Sequence, residues 1–282
     1  MASKLGYKWY FVEYKKNLYL EIVKKDIFYE YLDFDFNFVS LPHTQDFFAV
    51  YYLKKNYLIP ENSVFIPGHS GDFFAGTHIY NVNYNSNKMH IANEIFNHHY
   101  ILSDYCSYKH ELINRIFFQL KDGLPWTVME NWDLENRQAK FIVNSLRVYE
   151  FFGYENRIPL WNPKLANYFK KIDIKYKNRN NSYKLKNNLY DSIAMKIFNK
   201  YNVDIKKKVS NNNILLKIIK KTLKYIILKT RILKLLYYKY INRAKIDVNN
   251  YKDLCDVLEI DYNININKSL IKFIKRKLLS ST

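Results

Sequence analysis

Apolar residues in the first part of the chain recur in short runs that are separated by polar turns. The runs Trp9–Tyr14 (WYFVEY) and Ser63–Ile66 (SVFI) are rich in aromatic or β-branched side chains, which is typical of buried strands. Residues 45–57 carry apolar side chains at helical spacing and predict a helix that Pro60 ends. A helix, a strand and a glycine-containing loop in this order predict an α/β fold.

Further along the chain the pattern becomes helical. Apolar residues recur at helical spacing over His90–Gln119, Asp133–Phe152 and Asp191–Lys200. Residues 214–243 predict a basic amphipathic helix about 45 Å long, with lysines on one face and leucine and isoleucine on another. Because neither glycine nor proline occurs after Pro163, the C-terminal region is predicted to be helical throughout.

The net charge of +19 is concentrated in the C-terminal region. Residues 164–282 contain 29 basic and eight acidic residues, whereas the preceding residues contain 16 basic and 18 acidic ones. Such an excess is typical of proteins that bind nucleic acid or an anionic membrane surface, and also of lysine-rich compositional drift. The stretch 205–245 therefore predicts a site that binds nucleic acid or an anionic membrane surface. The alternative is a helix that packs against the core and exposes its lysines to solvent, and the choice stays open.

Several classes of protein are disfavoured by the composition. Two cysteines, Cys106 and Cys255, form neither a disulfide framework nor a cysteine zinc site, so a reducing cytoplasm is expected. The seven histidines lie between His43 and His110 without zinc-site spacing, and ordinary half-buried histidines are the favoured interpretation. No signal peptide and no uncharged run of spanning length is present. The prediction is a cytoplasmic protein, either free or peripheral to the inner face of the membrane.

The most informative stretch is Ser63–Gly76 (SVFIPGHSGDFFAG), in which a strand leads into a tight turn. The turn consists of Gly68, His69, Ser70, Gly71 and Asp72. Small residues allow an anion to approach backbone N–H groups, and an aspartate beside them can hold Mg²⁺ against phosphate oxygens. Taken alone, the stretch is equally compatible with an ordinary strand-to-helix turn.

A second stretch, Glu155–Asn162 (ENRIPLWN), places Glu155 and Arg157 beside a turn that Pro159 makes rigid. Taken alone, these two side chains are compatible with a surface ion pair at a helix end.

Together, in this order, the two stretches resemble the synthetase half of asparagine synthetase, a member of the ATP-pyrophosphatase group. That family has a loop of the form G-x-G/S-x-D-E-x-x-G, which is similar to Gly68–Gly76. It later has E-x-R-[VI]-P-[FL]-[LW]-D, which is similar to Glu155–Asn162. The variant P-G-H-S-G-D resembles relatives found with bacterial surface-polysaccharide enzymes. The resemblance covers about residues 2–170.

The resemblance implies an ATP-dependent amidating ligase, in which a carboxylate is adenylated and an amine then attacks the acyl adenylate. It implies a partial, doubly wound parallel sheet of the adenine-nucleotide-hydrolase type in residues 1–170, followed by a basic helical region, 171–282. The turn from Gly68 to Asp72 would contact ATP, and Asp72 would lie near the Mg²⁺ of the pyrophosphate. The catalytic pair would be Glu155, which lines the site of amine attack, and Arg157, which braces that loop.

The sequence departs from this family in informative ways. The phosphate-binding S-G-G-x-D-S loop is absent, and Ala2 stands where the glutaminase half would have its cysteine. Within the motifs, His69 and Phe73 replace acidic residues and Asn162 replaces an aspartate. The prediction is therefore a domain that is incomplete or inactive alone, with a second chain that supplies the missing strands or the ammonia. The alternative is a basic protein without catalysis that binds a membrane surface or nucleic acid through residues 205–245.

Overall fold

A computed structural model of the chain describes residues 2–37, 40–100, 108–177, 189–202, 251–259 and 271–273. The basic helix predicted over 214–243, and the whole stretch 205–245, lie outside the described residues. Two compact units are present: one comprises Met1–Val23 with Asn202–Thr282, and the other comprises Lys24–Tyr201. The predicted boundary after residue 170 rests on the family resemblance and stays a prediction.

Most of the described residues are helical. The α-helices, in chain order, are α1 (Lys16–Val23), α2 (Asp26–Asp35), α3 (Phe47–Lys55), α4 (Gly71–Phe74), α5 (Lys88–His99), α6 (Lys109–Gln119), α7 (Pro125–Asp133), α8 (Arg147–Phe151), α9 (Pro163–Lys170), α10 (Ile174–Lys177), α11 (Leu189–Lys200) and α12 (Tyr251–Val257). Short 3₁₀ helices occur at Ala2–Leu5 and Asn144–Leu146, and a π-helix at Leu134–Ile142. Two strands, β1 (Val64–Phe65) and β2 (Glu155–Asn156), form the small sheet.

The helices predicted over 45–57 and Asp191–Lys200 are confirmed by α3 and α11. The described parts of His90–Gln119 are helical, with α5 and α6 packed against each other. Asp133–Phe152 is helical along nearly its whole length, but the helix changes from α to π to 3₁₀ and back to α. A change of helix type of this kind is frequent at functional sites.

The strand predicted at Ser63–Ile66 is confirmed by β1, which pairs in parallel with β2. The sequence predicted only a polar turn at Glu155–Asn162, and the structure corrects this, since its first two residues form β2. The fold is thus a mix of helices with a two-stranded parallel sheet, and within the described residues no further strand extends it.

The strand predicted at Trp9–Tyr14 is wrong. In the unit that contains it, this segment has no regular secondary structure, and Trp9 and Phe11 are 60% and 77% exposed. Strand propensity is realised only when a neighbouring strand satisfies the backbone, and the described residues of this unit offer none. In this unit, α1 packs against α12, and Tyr19, Ile22 and Leu254 are fully buried.

Two apolar clusters form part of the core of the larger unit. The first is built mainly from α5, α6 and α7, with Ile95, Ile116 and Met129 at its centre. The second joins Phe73 and Phe74 of α4 to Phe169 of α9. Helix α4, which begins within the turn at Gly68–Asp72, is therefore held by Phe73 and Phe74.

Candidate functional site

The sheet brings the two sequence motifs side by side. Val64 pairs with Glu155 and Phe65 with Asn156, and the N–H of Arg157 donates to the carbonyl oxygen of Phe65 at 2.8 Å. Because the strands are parallel and in register, the loop after each strand leaves from the same edge of the sheet. Ligands in open α/β sheets bind at this carboxyl edge.

Aromatic packing fixes the position of β1 at this edge. The ring of Phe65 stacks on Tyr149 with centroids 4.4 Å apart and meets Tyr154 edge-on at 5.2 Å. The hydroxyl of Tyr149 donates to Oδ2 of Asp46 at 3.0 Å. Helix α8 thus anchors the strand from which the turn at Gly68–Asp72 begins.

The side chain of His69 is half-buried and is fixed by a hydrogen bond. Its Nε2 lies 2.9 Å from Oγ of Ser145, whose own proton is donated to the carbonyl of Ile142 at 2.6 Å. Since a hydroxyl has one proton, His69 must donate through Nε2 in this arrangement. Burial lowers the pKa of His69, so the ring is neutral near pH 7.

The centre of the turn has an unusual backbone conformation. Ser70 lies in the left-handed region with φ of 69°, and it is buried, with no hydrogen-bond partner for Oγ among the described residues. A residue other than glycine in this region costs about 1 kcal/mol or more, and such strain clusters at functional sites. Gly68 is exposed, with open space around it, whereas Gly71 is buried at the start of α4.

Asp72 presents a free carboxylate to solvent. The backbone carbonyl of Asp72 accepts hydrogen bonds from Thr77, and its carboxylate forms no ion pair with any described residue. The next residue, Phe73, is buried and stacks on His78 at 4.8 Å. One exposed carboxylate beside a turn suits Mg²⁺, which takes one or two protein oxygens and completes its shell with phosphate and water. Among the described residues, no three His, Cys, Asp or Glu side chains are grouped to hold a metal.

The residues Glu155 and Arg157 are both exposed. A guanidinium nitrogen of Arg157 donates to Oε2 of Glu155 at 2.6 Å, and another donates to the carbonyl of Asn156 at 2.9 Å. An exposed pair of this kind adds little stability, so the carboxylate can exchange its partner at small cost.

Behind the turn lies a buried polar cluster that the sequence did not reveal. Nζ of Lys177 donates to Oε1 of Glu130 at 2.7 Å, and both side chains are almost fully buried. Burial raises the pKa of Glu130 to about 7 and lowers the pKa of Lys177. Asp133, one turn along α7, is also buried, which raises its pKa to about 6, and it accepts a hydrogen bond from Gln138.

A pattern within α7 could have revealed part of this cluster. The apolar residues Trp126 and Met129 define a buried stripe, and Glu130 and Asp133 fall on the same stripe at helical spacing. Carboxylates at core positions require partners, so they point to a buried polar site.

His78 completes the cluster as a neutral ring. It is buried and neither ring nitrogen has a hydrogen-bond partner among the described residues. Burial lowers its pKa to about 3, so it forms no ion pair at neutral pH with Glu130, although Nε2 lies 4.0 Å from Oε1. No signal in the sequence pointed to this role, because a single histidine in an apolar segment has many possible environments.

The contribution of His78 to stability is expected to fall in acid, opposite in sign to that of Glu130. Its folded pKa lies below the value of 6.5, so the unfolded state binds the proton first and the contribution of His78 decreases as pH falls below 6.5. Each pH unit removes about 1.4 kcal/mol. The free energy of unfolding in urea is measured for the wild type and for His78→Phe at several pH values below 6.5. As pH falls, the wild type should lose stability relative to the variant, because only the wild type contains His78. A difference between the two proteins that stays constant with pH would contradict this role of His78.

Comparison with models of known protein families, with curated proteins and with solved structures finds no match to this chain. Among the described residues, no helix combines the length and the apolar character needed to cross a membrane.

Proposed function

We propose that this chain is an asparagine-synthetase-like ligase domain that uses ATP to amidate a carboxylate. The observation that supports the proposal is the parallel pairing of β1 with β2, because it starts the loops of both motifs from one edge of the sheet. Two independent stretches, about 90 positions apart in the sequence, would not be expected to share an edge if each were an ordinary turn. In this proposal β1 and β2 are two strands of an adenine-nucleotide-hydrolase-like sheet.

In the proposed chemistry, the three exposed charged residues Asp72, Glu155 and Arg157 each have a role. A carboxylate oxygen of the substrate would attack the α-phosphorus of ATP, and pyrophosphate would leave with the bonding electron pair; Asp72 would hold the Mg²⁺ that neutralises the charge of the pyrophosphate. Ammonia then attacks the acyl carbon, and AMP leaves with the bonding electron pair. Glu155 lies where the amine enters, and Arg157 orients Glu155 through the 2.6 Å bond between them. The backbone of Gly68, His69, Ser70 and Gly71 faces the nucleotide.

The proposal includes a partner that completes the sheet. Parallel sheets are normally covered and have more than two strands, yet Val64 and Ile66 at β1 are 46% and 66% exposed. A second chain would supply the further strands, with their phosphate loop, or the ammonia. The P-G-H-S-G-D variant favours a carboxylate of surface-polysaccharide biosynthesis as substrate, in the cytoplasm or at the inner face of the membrane.

Asp72→Asn is expected to weaken Mg²⁺-dependent binding of ATP by about tenfold, because it removes the protein's charge beside the metal. Binding of radiolabelled ATP to the full chain is measured by equilibrium dialysis at millimolar nucleotide, with and without Mg²⁺. Asp122→Asn is the matched control, since Asp122 is an exposed carboxylate elsewhere on the same unit. Binding that is independent of Mg²⁺, or equal losses in the two variants, would argue against the ligase.

The charge of residues 164–282 favours a second function, binding to nucleic acid or to an anionic membrane. The full chain is expected to cosediment with vesicles that contain phosphatidylserine, or to shift duplex DNA in a gel. In either case binding should decrease steeply as salt rises, because basic residues displace counterions. If neither probe binds at low salt, this second function is wrong.

A further inference from the structure

We propose that a pocket of about 220 Å³ beside α4 and α9 binds a small carboxylic acid that contains an apolar ring. This inference rests on the ligase proposal and deepens it, because the acid would be the substrate that the ligase amidates. The pocket is lined by residues of α4, of the start of the π-helix and of α9. Those used in the argument are Phe73, Leu134, Trp161, Ala166 and Lys170.

The position of the pocket supports a role in binding the substrate. Phe73 comes from the segment that follows β1, and Trp161 comes from the loop that follows β2. Both segments leave the carboxyl edge of the sheet, and Phe73 directly follows Asp72, so the pocket is built from the segments that follow β1 and β2. Ligand sites of open α/β sheets lie in this place.

The residues that line the pocket favour a ligand with an apolar ring. Phe73, Leu134 and Ala166 present hydrocarbon surfaces, and the indole of Trp161 adds a flat, half-buried face. A ring that stacks on aromatic side chains gains affinity beyond the area it buries. The volume is at the small end for ligand pockets, which favours one ring over an extended molecule.

Lys170 gives the pocket its charge preference. It is half-buried at the last turn of α9 and forms no ion pair with any described residue. Its ammonium is close enough to lower the pKa of buried Glu130. A cation in a largely apolar pocket recruits an anion, and a hydrogen bond between charged groups there is worth more than one at the surface.

Benzoate, with benzyl alcohol as its uncharged counterpart, tests the proposal on the full chain without nucleotide. Saturable binding of benzoate is expected by ligand-observed NMR, and Lys170→Met should weaken it by about tenfold, the effect of losing one charged hydrogen bond. Lys171→Met is the matched control, because it removes an exposed lysine from the next position. Binding of benzyl alcohol should be the same in all three proteins.

A second variant tests the pocket itself. Ala166→Trp adds a large ring to the wall of the pocket, and it should abolish binding of both probes while circular dichroism remains unchanged. Equal benzoate affinities in Lys170→Met and Lys171→Met, or no saturable binding to the wild type, would overturn the proposal. Inorganic phosphate that competes as well as benzoate would overturn the requirement for a ring. Because these experiments contain no ATP, their failure is distinct from a failure of Asp72→Asn to affect nucleotide binding.

Discussion

Gly76→Ala is expected to destabilise the larger unit by about 3 kcal/mol, since it adds a strained backbone and a steric clash. Gly76 has φ of 71°, and a Cβ there would lie 2.9 Å from Cβ of Lys177 and 3.1 Å from its carbonyl oxygen. The second contact is with backbone, which cannot rotate away. The free energy of unfolding in urea, determined for wild type and variant at the same pH, measures the loss.

Gly153→Ala separates the two causes. Gly153 has φ of 82°, but no atom lies within 4 Å of the Cβ that alanine would add. This control should therefore lose only the conformational part, about 1 kcal/mol. Equal losses in the two variants would mean that the approach of Lys177 to Gly76 contributes nothing. A larger loss for Gly76→Ala would show that this approach holds α10 behind the turn of the candidate site.

Much of the candidate site could be predicted because its signals are local. The strand at Ser63–Ile66 and the turn after it follow from β-branched residues next to small ones, and β1 is found there. Strand β2 could not be predicted, since glutamate and asparagine have low strand propensity and only the pairing with β1 makes them a strand. Trp9–Tyr14 is the converse, a segment with high propensity and no partner strand among the described residues of its unit.

The burial of Lys177 in this cluster could not be predicted, for a different reason. Lys177 follows Lys170, Lys171 and Lys175, a pattern that is typical of a solvated surface. Whether one lysine among several is buried depends on a partner 47 positions earlier and on the space that Gly76 leaves. Both conditions depend on the tertiary structure, which hydrophobic periodicity along the sequence does not predict.

Lys177→Met is expected to cost about 3–5 kcal/mol, because it leaves the carboxylate of Glu130 buried without its cation. Lys175→Met, which removes an exposed lysine from the same helix, should change stability by less than about 0.5 kcal/mol. The double variant Lys177→Met with Glu130→Leu should recover a large part of the loss, since it replaces the ion pair by apolar side chains. These differences are obtained from the free energies of unfolding in urea of the wild type, Lys177→Met, Lys175→Met and the double variant.

The pH dependence of the same proteins gives an independent check. The folded pKa of Glu130 is raised from 4.5 to about 7, so the folded state binds the proton more tightly and this group's contribution to stability decreases as pH rises from 4.5 to about 7. Without the ammonium of Lys177 that pKa rises further, and the decrease should continue above pH 7. Lys177→Met should therefore lose more stability than the wild type between about pH 5 and about pH 8, and the double variant should not. If the stability of the wild type, Lys177→Met and the double variant changes with pH in the same way, Lys177 does not stabilise Glu130 as a carboxylate.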